Sequence, residues 1–316
     1  MRKFIVRRKM QFFLDPKNSS RIFMIPTLVI AILFLTACKP QEQPTAKGAY
    51  LGGTQGLVAS FEPFGVEESG VYSIFEEETF PLELTVQNKG EYAIQPGEVT
   101  VKLLGPSQEE FTGLKAWELS NNQPLEGISE LVPGGGEETL SFASDAKYAK
   151  EVAGVVEREW FANLEYHYQT YLLIPEVCLK EDLTDTRVCN VKEAKTYFVS
   201  GAPITVKAVE EDTAGKGIIA LKILVSNVGS SSAKVTKPGE SFGVRNVLSF
   251  SLDDPAWECK SAGKVNEARL DEGQAEIVCK LKEPLAEGHV STKQVKLTLD
   301  YKYRDLISEK LRIKQS

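Results

Sequence analysis

Histidine is the rarest residue type in this chain, with only His167 and His289 among 316 residues. That scarcity narrows the options for metal ligation and for acid–base chemistry near neutral pH. No C-x-x-C pair, no GKT or GKS phosphate loop, no H-E-x-x-H helix and no D-x-D-x-D-G calcium loop occurs. These gaps remove the common signatures of zinc, nucleotide and EF-hand chemistry, and no enzyme, no metal and no cofactor is expected. Positive charge is not in surplus either. The formal net charge is -7, which argues against a nucleic-acid partner. Gly (24) and Pro (15) are ordinary, excluding collagen-like and low-complexity chains. With 42% hydrophobic residues the chain is neither disordered nor multi-spanning, and its length suggests about two domains.

What is present begins with a charge asymmetry. Residues 1–38 carry seven basic side chains and the single acid Asp15. The remainder carries 30 basic and 43 acidic residues. Residues 22–38, IFMIPTLVIAILFLTAC, form an apolar run of 17 positions without charge, flanked by Arg21 and Lys39. A basic tip before an apolar run is a targeting signal that leaves the tip in the cytoplasm and exports the bulk. The run ends Leu35-Thr36-Ala37-Cys38. That ending resembles the lipobox of prokaryotic lipoproteins, which implies lipid attachment to Cys38 and cleavage after Ala37. The alternative is an uncleaved signal-anchor helix over 22–38. In both readings residues 39–54 are a polar tether and the body is extracytoplasmic and membrane-anchored.

Four further cysteines follow, Cys178, Cys189, Cys259 and Cys279. Sequence-local pairing gives Cys178–Cys189 and Cys259–Cys279, and the export signal implies a compartment that permits it. Buried free thiols are the alternative.

The body repeats itself. Phe80–Gly90 reads FPLELTVQNKG and Ile219–Gly229 reads IALKILVSNVG. Both alternate apolar and polar residues, the signature of a half-buried strand, and both stop at Asn-x-Gly, which favours a turn. Downstream, Leu164-Glu165-Tyr166-His167-Tyr168 matches Leu299-Asp300-Tyr301-Lys302-Tyr303. Between these blocks, glycine turns precede strands at 137–143 and 275–281. The offsets are 139 residues at the Asn-x-Gly turns, 138 at the glycines and 135 at the Tyr-x-Tyr strands. One unit of roughly 115–140 residues is therefore duplicated, with copies at 55–192 and 200–316. Helical periodicity is nearly absent, and only Asp145–Val155 suggests a short helix.

Short alternating strands between turn signals predict an all-β chain of two tandem immunoglobulin-like β-sandwich domains behind the anchor. The Asn-x-Gly strand end followed by Leu131-Val132-Pro133-Gly134 resembles CARDB-type domains of prokaryotic surface proteins. That resemblance implies a sandwich fold and an adhesion-related setting. The second copy departs from it, with Asp271-Glu272 where proline would stand. Each copy is long enough to bury its own core, so each is expected to fold alone.

Individual residues give few chemical signals. Alternation puts His167 on the polar strand face with Glu165 and Gln169, and its counterpart is Lys302, so a catalytic imidazole is not expected. The clusters Glu76–Glu78, Glu210–Asp212 and Asp253–Asp254 read as solvated loop charge. Tyr166, Tyr168, Tyr301 and Tyr303 are expected in the core. Trp117, in the polar stretch LKAWELSNNQ, is the best candidate for an exposed contact. The expected role is binding, adhesion or envelope organisation, with a protein or glycan of the envelope as partner. A structural spacer or accessory subunit without its own ligand is the second expectation.

Overall fold

A computed structural model describes residues 48–184 and 188–316. The apolar run 22–38, Cys38 and residues 39–47 of the tether lie outside the described residues. Among the described residues no helix is long and apolar enough to cross a membrane.

Twenty strands are described: β1 (Leu57–Phe61), β2 (Val66–Glu68), β3 (Val71–Phe75), β4 (Thr79–Asn88), β5 (Val99–Gly105), β6 (Phe111–Thr112), β7 (Glu118–Ser120), β8 (Glu137–Tyr148), β9 (Val155–Lys180), β10 (Glu193–Ala194), β11 (Phe198–Val199), β12 (Ile204–Gly215), β13 (Ile218–Asn227), β14 (Lys234–Thr236), β15 (Asn246–Leu252), β16 (Trp257–Ser261), β17 (Lys264–Val265), β18 (Glu267–Leu270), β19 (Gln274–Leu281) and β20 (Val290–Lys314). The chain is all-β, as its period-two patterning predicts. The expected helix at Asp145–Val155 does not form. Residues 145–148 continue β8 instead, because Ala146 and Tyr148 extend its alternating buried face.

The duplication is visible in the topology. A four-stranded sheet runs β1-β4-β8-β6, and a six-stranded sheet runs β10-β12-β13-β19-β16-β17. The two Asn-x-Gly strands, β4 and β13, hold the same place, each flanked by an antiparallel partner on either side. In β4, Phe80, Leu82, Leu84 and Val86 are buried; in β13, Ile219, Leu221, Ile223 and Val225 are. The glycines of the shared turns, Gly135 and Gly273, both adopt φ near +70 to +80°. Where the second copy departs from the proline pattern, Glu272 (φ 51°) and Gly273 (φ 79°) form a two-residue hairpin of the mirror-image type.

The third sheet belongs to both copies. Its main path is β18-β15-β20-β9-β5-β7, with β11 on β9, β14 and β3 on β20, and β2 on β3. The Tyr-x-Tyr strands β9 and β20 pair antiparallel from Val290↔Lys180 to Lys314↔Val155. Tyr166 faces Tyr303, Tyr168 faces Tyr301, and His167 faces its own repeat counterpart Lys302. A local two-fold axis therefore runs through the His167–Lys302 pair. Beyond it each long strand crosses into the other copy: Leu311–Lys314 of β20 pair in parallel with Tyr72–Phe75 of β3.

One face of this shared sheet is apolar and closes a single core. Tyr166, Tyr168, Tyr301 and Tyr303 lie at its centre, as expected, with ring centroids 5.5–6.4 Å apart. Residues 48–316 consequently form one compact unit, and the expected boundary at 192–200 falls inside it.

Candidate functional site

The repeated motifs explain each other. Asn88 Oδ1 accepts the Tyr168 hydroxyl at 3.1 Å and the Gly90 amide at 3.2 Å. Asn227 Oδ1 accepts the Tyr303 hydroxyl at 3.1 Å and the Gly229 amide at 3.1 Å. The turn must be Asn-x-Gly because the tyrosine hydroxyl occupies the space of a Cβ: one on Gly90 would lie 2.1 Å from Tyr168 Oη, and one on Gly229 2.2 Å from Tyr303 Oη. Burial keeps both phenols protonated by raising their pKa.

The opposite face of the shared sheet is polar and half-buried, and here the two copies meet chemically. His167 Nε2 lies 2.6 Å from Asp300 Oδ1 on β20. His167 Nδ1 lies 3.0 Å from Glu98 Oε1 and 3.1 Å from the Tyr92 hydroxyl. The hydrogen bonds to Asp300 and then Glu98 raise the imidazole pKa against the opposing effect of burial. Tyr92, half-buried and beside Glu98, is pushed up to about 12. Around this cluster Lys296 sits over the Tyr171 ring (4.8 Å), Tyr50 stacks on Tyr171 (6.3 Å), and Arg304 lies over Phe242 (4.0 Å).

Alternation places His167 on the polar face, and it is there. Its carboxylate partners are invisible to that reasoning, because Glu98 and Asp300 lie 69 and 133 residues away. A second unforeseen residue is Glu91, whose carboxylate accepts the amides of Leu51 (3.0 Å), Gly52 (2.9 Å) and Gly201 (2.6 Å). It pins the start of the body to the segment between the copies.

No family model matches the chain, and no curated protein is detectably related to it. Its own chemistry must therefore carry the reading. Both expected disulfides are formed. Cys178–Cys189 ties the end of β9 to the following loop, and Cys259–Cys279 bridges directly opposed residues of β16 and β19. Two such bonds suggest an oxidising, extracytoplasmic location. Trp117 is half-buried, with its ring stacked 6.1 Å from Trp160 in an aromatic cluster that includes Phe111 and Phe80. His289 is exposed in its turn and bonds Ser291 Oγ at 2.8 Å.

The acidic clusters divide. Glu76 accepts the Val152 amide and Glu78 the Phe75 amide, fixing a turn. Asp254 pairs with Lys293 at 2.8 Å. Glu210–Asp212 is not loop charge: it lies within β12, and Glu211 is fully buried. Lys195, itself buried, binds Glu211 Oε2 at 2.8 Å and Glu193 at 2.8 Å. The Cys178 amide donates to the same Glu211 carboxylate. Burial raises the Glu211 pKa, opposed by Lys195. Among the described residues no cluster has metal-binding geometry. The cavities here are surface grooves, such as one of about 490 Å³ lined by Pro175, Glu176, Lys195 and Phe198.

Charge also tells how the copies fit. Residues 48–192 carry 25 acidic and 9 basic side chains, and residues 193–316 carry 17 and 19. The basic end of β20 lies across the acidic copy, with Arg304 on Glu165, Arg312 on Glu157 and Lys314 on Glu68.

Proposed function

We propose that the chain is a membrane-anchored, extracytoplasmic protein of the lipoprotein kind. In this reading its fused, CARDB-like double sandwich binds a protein or glycan of the cell envelope and does no catalysis. The observation that carries it is a disulfide-bonded β body behind a basic tip, an apolar run and Leu-Thr-Ala-Cys38. Loops rather than a cleft are the contact surface. Leu131 and Val244, at loop tips of the first and second copy, expose 93% and 94% of their surface to solvent. Apolar side chains held in water in this way gain on meeting a partner. A second reading, a spacer that holds something at a fixed distance, is favoured by the β9–β20 pairing, which makes one body of two copies.

Two measurements test this. Intact mass from native membranes should find a chain beginning at acylated Cys38; residues 1–37 still attached would replace lipidation with a signal anchor. Photo-crosslinkers placed at positions 131 and 244 in cells should capture one recurrent envelope partner. Their failure, with an intact surface-exposed body, would leave the spacer reading.

A further inference from the structure

Both ring nitrogens of His167 face carboxylates, and the carboxylates come from different parts of the chain. Asp300 belongs to the terminal strand of the second copy. Glu98 closes the turn before β5 in the first copy, where its other oxygen accepts the Gln95 amide at 2.8 Å. The side chains are partly sheltered, with 22% of His167, 26% of Glu98 and 34% of Asp300 exposed. A doubly protonated imidazolium donates to both carboxylates. A neutral ring has one proton, so one carboxylate then meets a lone pair. We propose that Glu98, His167 and Asp300 form a proton-operated latch, tying the Tyr92–Glu98 turn of the first copy to the terminal strand of the second and releasing it when the imidazole loses its proton.

The groups facing the imidazole from each side fit this. On the turn stand Tyr92 and Glu98. On β20 stand Asp300 and Lys302, the latter directly opposite His167 with its ammonium 5.3 Å from the Phe242 ring. On β9 stand Glu165, paired with Arg304 at 2.7 Å, and Tyr171. Two carboxylates to which no other cation is bonded among the described residues thus bracket the ring, while Lys302 is drawn toward Phe242.

A histidine whose folded pKa exceeds its unfolded value binds its proton more tightly when folded. The latch is therefore fully engaged below about pH 6.5, the unfolded value, and is lost as pH rises through the folded pKa. Each unit of difference weakens the folding equilibrium about tenfold.

The test uses the full chain in detergent with His289→Gln, so that His167 is the only imidazole. Its Cε1 proton resonance should titrate above pH 6.5, and Asp300→Asn should bring that titration down. Denaturant unfolding should show stability falling from pH 6 to pH 9, and His167→Gln should remove this slope. Amide exchange over residues 92–98, corrected for intrinsic base catalysis, should rise several-fold at high pH in the parent and not in His167→Gln. An imidazole that titrates at or below pH 6.5, or a stability slope that survives His167→Gln, would overturn the latch. Should His167→Gln fail to fold, the titration of the parent and of Asp300→Asn decides it.

Discussion

The Asn–Tyr–Gly corners occur twice in nearly the same geometry, yet they should respond differently to the same substitutions. At Gly229 an added Cβ meets Tyr303 Oη at 2.2 Å, and its next neighbours are Pro203 Cβ and Tyr303 Cζ at 3.2 Å. At Gly90 the Cβ meets Tyr168 Oη at 2.1 Å but also the carbonyl oxygens of Gly201 at 2.5 Å and Gln55 at 2.6 Å. Removing the hydroxyl thus frees the second site and leaves the first blocked by backbone. Tyr303→Phe and Tyr168→Phe each lose one hydrogen bond, about 1 kcal/mol. The cost stays small because each Asn Oδ1 keeps its glycine amide. Gly229→Ala should cost about 2–3 kcal/mol through overpacking, and Gly90→Ala at least as much. In the double variant Tyr303→Phe/Gly229→Ala the 2.2 Å contact is gone and only the two 3.2 Å contacts remain, so the total should fall to about 1.5–2 kcal/mol, a coupling of about 1.5–2 kcal/mol. Tyr168→Phe/Gly90→Ala should be close to additive. Denaturant unfolding of the oxidised protein measures both cycles. Additivity at 303/229, or equal coupling in the two copies, would refute the steric account of the Asn-x-Gly motif.

Other outcomes follow from the same structure. Lys195→Met leaves Glu211 buried without its cation and should cost about 3–5 kcal/mol, whereas Lys195→Met/Glu211→Leu should recover most of it by thermal or chemical melting. Non-reducing peptide maps should link Cys178 to Cys189 and Cys259 to Cys279, and removing the second bond should cost roughly 3 kcal/mol in unfolding experiments. The fragment 200–316, made under oxidising conditions, should unfold cooperatively only when residues 55–192 are supplied. A fragment that melts cooperatively alone would show that β9 is dispensable to the second copy.

Much of this architecture was written locally. Alternation located β4, β13, β9 and β20 and sorted their faces, since period two depends only on neighbouring residues. The disulfides were legible because short sequence separations limit the pairings. Asp145–Val155 misled because its apolar positions are few and Ala146 and Tyr148 suit a strand equally. Glu211 misled because a run of three carboxylates reads as solvated until Lys195 arrives from the segment that follows β10. The two tyrosine strands were recognised as copies, but nothing local says that copies pair with each other. That pairing, and with it the His167 cluster, depends on register between segments more than a hundred residues apart.

The crossing of β20 into the first copy has a consequence for the order of assembly. Leu311 and Ile313 are fully buried beside β3, yet they follow it by more than two hundred residues along the chain. The leading half must therefore wait, with the β9 flank unpaired, until the trailing end arrives. Such long-range closure is slow, and an unpaired strand edge invites wrong partners in the meantime. Deleting residues 311–314 should damage the start of the body, where they pair with β3, before it damages the second copy.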